Sequence, residues 1–191
     1  MTFFSARRLF IKGVILMAVS AAVVVFGNQD GPPDRMTGAL GDLNCTICHS
    51  DYELGAGLGK DGRLVFDGVP AEYTPGEFYL ITVRIAQPGQ TRWGFEAAAR
   101  FMEDGRQAGT LFLIDEKNTQ LSETGGVQFI KHTSMGTYDM TADGPVEWMF
   151  FWLAPEAGTV VFSAAGNAAD GNNKPEGDYI YAIQAMTSPV Q

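Results

Sequence analysis

Cys45-Thr46-Ile47-Cys48-His49 holds the only two cysteines of the chain, three apart, with one of its two histidines directly behind them. Thiols at that spacing reach two vinyl groups on one porphyrin edge, and the next residue brings an imidazole nitrogen to the iron. The pentad therefore reads as the attachment site of one covalent haem c, with Cys45 and Cys48 as thioether carriers and His49 as proximal ligand. The same residues also suit a structural disulfide, a thioredoxin-like redox pair or half of a zinc site. The redox pair lacks a surrounding βαβ pattern, and zinc lacks a second cysteine pair.

The iron takes at most one further axial ligand. His132, the only other histidine, is the first candidate; a half-buried histidine bonded to backbone is its ordinary alternative. Met135 is the substitute from the same loop, with Met102, Met140, Met149 and Met36 behind it. An open position would instead admit gas or peroxide. Trp93, Phe95, Trp148, Phe150 and Trp152 suit a core or a porphyrin contact. Asn167, Asp170, Asn172, Asn173 and Asp178 offer oxygens for calcium, or Asx turns. No Ser–His–Asp order, phosphate loop or carboxylate pair stands out, so an electron carrier is expected rather than a catalyst.

The 191 residues carry 13 basic and 22 acidic side chains, a formal charge of −9. Residues 1–27 contain Arg7, Arg8 and Lys12 and no acid, so 10 basic and 22 acidic side chains remain beyond them, a charge of −12. Such a balance does not suit phosphate backbones and excludes nucleic acid as a partner. The expected partner is a redox protein or a membrane electron-transfer complex met through a steered encounter, with homo-oligomerisation open and no free small-molecule ligand.

Residues 1–27 have a basic start followed by the uncharged, largely apolar run Gly13–Gly27, the layout of an export signal or a retained membrane anchor. Ala6-Arg7-Arg8-Leu9-Phe10-Ile11-Lys12 resembles a twin-arginine signal, departing from it at Ala6. Either route places the domain in the periplasm or at the cell surface. Residues 28–42, rich in Gly, Pro and polar side chains, read as a flexible tether. Residues 43–62 form the haem-attachment segment, with a short helix over 43–54 capped by Asn44, and Gly55, Gly57, Gly59 and Gly62 letting backbone pass close to the porphyrin.

Residues 63–191 then read as strands between turns: 63–66, 78–85, 93–101, 110–114, 127–132, 146–153, 160–164 and 179–186. Tyr79, Ile81, Val83 and Ile85 share the likelier core face of one. Strand 146–153 is bulky on both faces, so a second covering is expected, from the haem segment or a neighbouring subunit. Together these predict an all-β, immunoglobulin-like antiparallel sandwich preceded by a short helical CxxCH segment.

The motifs YTPG (73–76), WGFE (93–96), KHT (131–133), FFWLAPEAGTVVFSAAGNAADGN (150–172) and GDYIY (177–181) occur in an order that resembles Reeler-type domains. More closely, the chain resembles bacterial choice-of-anchor relatives that carry a CxxCH motif before the sandwich. The resemblance implies an exported or surface β-sandwich, sometimes found beside redox modules, and matches His132 to the histidine that precedes Thr or Ser. Eukaryotic members usually carry disulfide cysteines in the body of the domain. This chain has none there, so their adhesive roles do not transfer. The function expected is an exported monohaem c-type cytochrome. The alternatives are a structural or adhesive sandwich stapled by haem, and a haem sensor or peroxidase with an open distal side.

Overall fold

The computed structural model describes residues 28–191; the export signal or anchor expected over 1–27 lies outside them. Among the described residues, ten strands form two layers. Strands β1 (Arg63–Asp67), β3 (Phe78–Ala86), β5 (Thr110–Leu113) and β8 (Val146–Leu153) make a four-stranded sheet in the order β1-β3-β8-β5. The other layer, in the order β2-β10-β9-β4-β7-β6, has six. It is built from β2 (Glu72–Tyr73), β4 (Arg92–Phe101), β6 (Thr119–Thr124), β7 (Val127–His132), β9 (Val160–Ala169) and β10 (Tyr179–Pro189). All pairings are antiparallel except the short β2–β10 contact. The fold is an all-β antiparallel sandwich. Among the described residues, no helix is long and apolar enough to cross a membrane.

Two-residue periodicity builds the core. Ile81, Val83 and Ile85 of β3 and Trp148, Phe150 and Trp152 of β8 face Trp93, Phe95, Ala97 and Ala99 of β4 and Phe162 and Ala164 of β9, all buried. Trp152 packs edge-on against Phe162 at 4.8 Å and Tyr73 at 5.4 Å, and Phe95 stacks on Trp148 at 4.3 Å. Each indole N–H finds a main-chain oxygen: Trp93 on Thr141, Trp148 on Gly136 and Trp152 on Ala108, each at 2.9 Å. Burying such polar tips is tolerable because they stay bonded. The sequence reading missed β2 and β6. The first has two residues, and the second, TQLSET, has no apolar alternation to announce it.

Segment 28–44 departs from the tether expected for 28–42. It lies as a strap across the outer face of the six-stranded sheet, held by side chains that the sequence spaces along β4, β7 and β9. Glu96 Oε1 accepts the N–H groups of Arg35 and Met36 at 2.9 and 3.4 Å. Arg100 donates to Asp42 at 2.7 Å and to the Ala39 carbonyl at 2.8 Å. Lys131 Nζ reaches Asp34 at 2.5 Å and the Pro32 carbonyl at 2.7 Å, and Ser163 donates to Thr37 at 3.0 Å. Small residues let the chain come this close. A Cβ on Gly38, itself at φ +76°, would stand 2.8 Å from the Ala182 Cβ. The strap is polar in composition but anchored, because buried charges on the sheet need its donors and acceptors.

The segment expected to be a helix over 43–54 is only a 3₁₀ turn, Cys45–Ile47. Asn44 does cap it, accepting the Thr46 N–H at 2.9 Å. With so many glycines following, nothing sustains a longer helix. Gly57 and Gly62 have a different use from the one expected. Their backbone crosses the buried Tyr181 hydroxyl and Gln87 side chain, where any Cβ would collide, and neither borders the cavity that Cys45 and Cys48 line.

Candidate haem site

The 3₁₀ turn places both thiols at one cavity. The Cys48 and His49 N–H groups return to the Cys45 carbonyl at 3.2 and 3.0 Å, folding the pentad into a tight coil that sets His49 against the end of β9 and the start of β10. There His49 Nδ1 lies 2.6 Å from Oδ2 of Asp178, whose side chain is only 1% exposed. Asn167 of β9 approaches the same imidazole, with Nδ2 3.4 Å from each ring nitrogen, and its Oδ1 is buried without a partner. Gly55 N–H ties the segment to the Ile180 carbonyl at 2.8 Å.

A cavity of about 300 Å³ is bordered by Cys45, Cys48 and His49 on one side and by His132, Trp93 and Phe95 on another. That volume is at the low end for small-molecule sites. The fold thus brings His132, 83 positions along the chain from His49, to the cavity that the CxxCH turn borders. Met36 is the methionine that lines it, carried there by the strap. Met135, Met102, Met140 and Met149 are exposed and do not line it. Met36 was a weaker candidate in the sequence, and its strap position was the missing signal.

His132 is buried, and Gly94 gives its ring room: a Cβ there would stand 2.8 Å from His132 Cε1. Its Nδ1 is 3.0 Å from the Phe95 N–H and 3.2 Å from the Phe95 carbonyl. In the first arrangement Nδ1 accepts and Nε2 carries the proton; in the second Nδ1 donates and Nε2 is the unprotonated nitrogen. Burial holds the imidazole below its ordinary value, opposed by main-chain contacts with Phe95 and Asn28.

The thiols are free and not joined to each other. Burial, helped by nearby Glu96, pushes the Cys45 thiol up to about 12. A thiol so far from ionising is a poor nucleophile at neutral pH, which weighs against a thioredoxin-like pair. Among the described residues no three His, Cys, Asp or Glu groups converge as metal ligands. A porphyrin supplies four iron ligands itself, so one histidine on each side completes such a site.

The residues fit a c-type haem in chemistry. Cys45 and Cys48 border the cavity, the His49 imidazole has a carboxylate on one nitrogen, and the Asn167 oxygen beside it lacks a partner. Arg92 and Lys174 stand at the same cavity as candidates for the propionates. Arg92 is already engaged with Asp139 at 2.7 Å, while Lys174 is exposed. The Asx-rich loop that offered oxygens for calcium or Asx turns divides: Asp178 and Asn167 turn to His49, and Asp170 and Asn172 bond each other at 2.9 Å. Trp148, Phe150 and Trp152 belong to the core alone; Trp93 and Phe95 serve core and cavity together.

Solved structures similar to this chain include Reeler domains. The human F-spondin reeler domain is 24% identical over 68% of this chain and 89% of that one, with a TM-score of 0.46. The Reelin-N domain of F-spondin is 22% identical over 77% and 96%, with a TM-score of 0.48. AvmM, which catalyzes macrocyclization in alchivemycin A biosynthesis, is 16% identical over 69% and 89%, with a TM-score of 0.46. No protein-family model and no curated protein sequence matches the chain. Such different proteins on similar folds carry no information about activity, so the functional argument rests on the site.

Proposed function

We propose that the protein is an exported monohaem c-type cytochrome that carries single electrons between redox partners in the periplasm or at the cell surface. One observation carries this reading: Cys45, Cys48, His49 and His132 border one cavity. A covalent haem there would supply a one-electron ferric–ferrous couple without breaking a substrate bond. Cys45 and Cys48 would hold the macrocycle, and His49 and His132 would each offer the iron a nitrogen, His132 in the tautomer that donates Nδ1–H to the Phe95 carbonyl. Trp93 and Phe95 limit water on the inner wall. The small cavity encloses only part of a macrocycle, which favours an exposed edge for outer-sphere transfer. The acidic surface suits a basic redox protein or membrane complex.

The test uses the full chain made in a host that matures c-type cytochromes. The expected product carries one haem by intact mass and gives a low-spin spectrum by absorption and magnetic circular dichroism. His132→Ala is expected to become high-spin. A chain without haem mass, or with a Cys45–Cys48 bridge, overturns the reading; an unchanged low-spin variant removes His132 as ligand.

Two further readings each have an observation behind them. The Phe95 N–H bonded to His132 Nδ1 favours an open distal side, as a haem sensor or peroxidase needs, and carbon monoxide binding to the unaltered ferrous protein would show it. The anchoring of segment 28–62 on the six-stranded sheet favours a structural or adhesive sandwich in which haem only staples that segment. There, haem loss would unfold the domain, and exchange with a partner cytochrome would be absent.

A further inference from the structure

The two imidazoles at the cavity are held by opposite means. His132 Nδ1 meets a neutral main-chain group, whereas His49 Nδ1 meets a carboxylate. Asp178 sits immediately before β10 with its side chain closed to solvent. Its Oδ2 takes His49 Nδ1 at 2.6 Å and Asn167 Nδ2 at 3.4 Å, and its Oδ1 takes the Asp170 N–H at 3.3 Å. The neighbouring charges are Arg92, close enough to feel Asp178 electrostatically though paired to Asp139, and Lys174 across the cavity. No side-chain ammonium or guanidinium is paired to Asp178 among the described residues.

We propose that Asp178 is the positioning residue for His49 and that its buried charge sets the reduction potential of the site low. The inference rests on the electron-carrier reading. A carboxylate oxygen 2.6 Å from Nδ1 accepts the hydrogen of that nitrogen, which fixes the ring and, in the neutral imidazole, leaves the Nε2 lone pair for a metal. The same charge makes the imidazole a stronger donor, and that favours the more positive, ferric state over the ferrous one. The proton stays bonded to Nδ1, held by its hydrogen bond to Asp178, while one electron arrives from the reductant, so no bond breaks. The cost of burying the carboxylate is met by two donors, Asn167 Nδ2 and the Asp170 N–H, and by the ring it holds.

The experiment compares wild type, Asp178→Asn and Asp178→Glu as full chains matured with haem, by intact mass and by redox titration between dithionite and ferricyanide. Asn keeps an acceptor of the same size and removes only the charge. At a fixed applied potential, its oxidised-to-reduced ratio is expected to fall about tenfold, a shift of about 59 mV toward the positive for one electron. Asp178→Glu keeps the charge and is expected to stay within about threefold of wild type. Normal haem mass with an unmoved or negatively shifted Asp178→Asn overturns the proposal alone. If Asp178→Asn takes up no haem, Asp178→Glu decides: a tenfold departure from wild type overturns the charge assignment, and a ratio near wild type upholds it. A wild-type chain without haem overturns the electron-carrier reading and this inference with it.

Discussion

The two sheets turn very different outer faces to their surroundings. On the six-stranded sheet, Gly94, Glu96, Ala98 and Arg100 alternate with core residues, and the strap covers Glu96 and Arg100 among them. On the four-stranded sheet, Phe78, Leu80, Phe112, Met149 and Phe151 stand open, with the Phe78 ring 5.6 Å from Phe112 and 6.3 Å from Phe151. The charged face is buried and the apolar face is wet. Small side chains admit a second layer of backbone, and buried charges then demand the polar groups that backbone carries. The CxxCH segment joins the strap side, so it is not the covering expected for the second face of β8.

The largest effect expected of this contrast is at Asp42. Its side chain and that of Arg100 are 1% and 2% exposed and bonded at 2.7 Å. Removing one partner strands a buried charge, so Asp42→Ala is expected to cost about 3–5 kcal/mol in denaturant unfolding. A loss under about 1 kcal/mol would mean that the strap is not integral to the fold. A smaller, pH-dependent effect is expected at Glu96, which burial raises from 4.5 to about 8, with Lys131 opposing. Between those values the folded chain keeps a proton that the unfolded chain has lost, so stability should fall as pH rises from about 4.5 to about 8. Glu96→Gln should flatten that slope in thermal melts taken at several pH values. The smallest effect is expected on the other sheet. Phe151→Thr should change unfolding free energy by about 0.5 kcal/mol or less, since the ring is already solvated. A loss of several kcal/mol would show that the open face is covered by a second copy in solution, and sedimentation would then report the oligomer.

Much of the strand pattern was legible because alternation survives wherever one face meets the core. Ile81, Val83 and Ile85, and Trp148, Phe150 and Trp152, are buried as their spacing requires. β6 was not legible, since an edge strand such as TQLSET is set by its pairing with β7 and not by an apolar face. Glu96 and Arg100 showed only as charges in an alanine-rich strand. Nothing nearby in sequence indicates that residues some 60 positions earlier will bury them.

The site divides in the same way. Cys45, Cys48 and His49 point to their proposed chemistry by spacing, because thioether attachment and ligation by the following residue are matters of local geometry. His132 was named by elimination, Asp178 was placed in a different cluster, and Met36 was ranked among the last. Whether a side chain meets the cavity depends on which strands become neighbours, and hydrogen bonds between residues 129 positions apart carry no local signature. The sequence by itself determined the CxxCH spacing and the alternating strands. The pairing of His49 with Asp178, the tautomer contest at His132 and the strap over Glu96 were decided only when the sheets closed, because each depends on partners that chain order keeps apart.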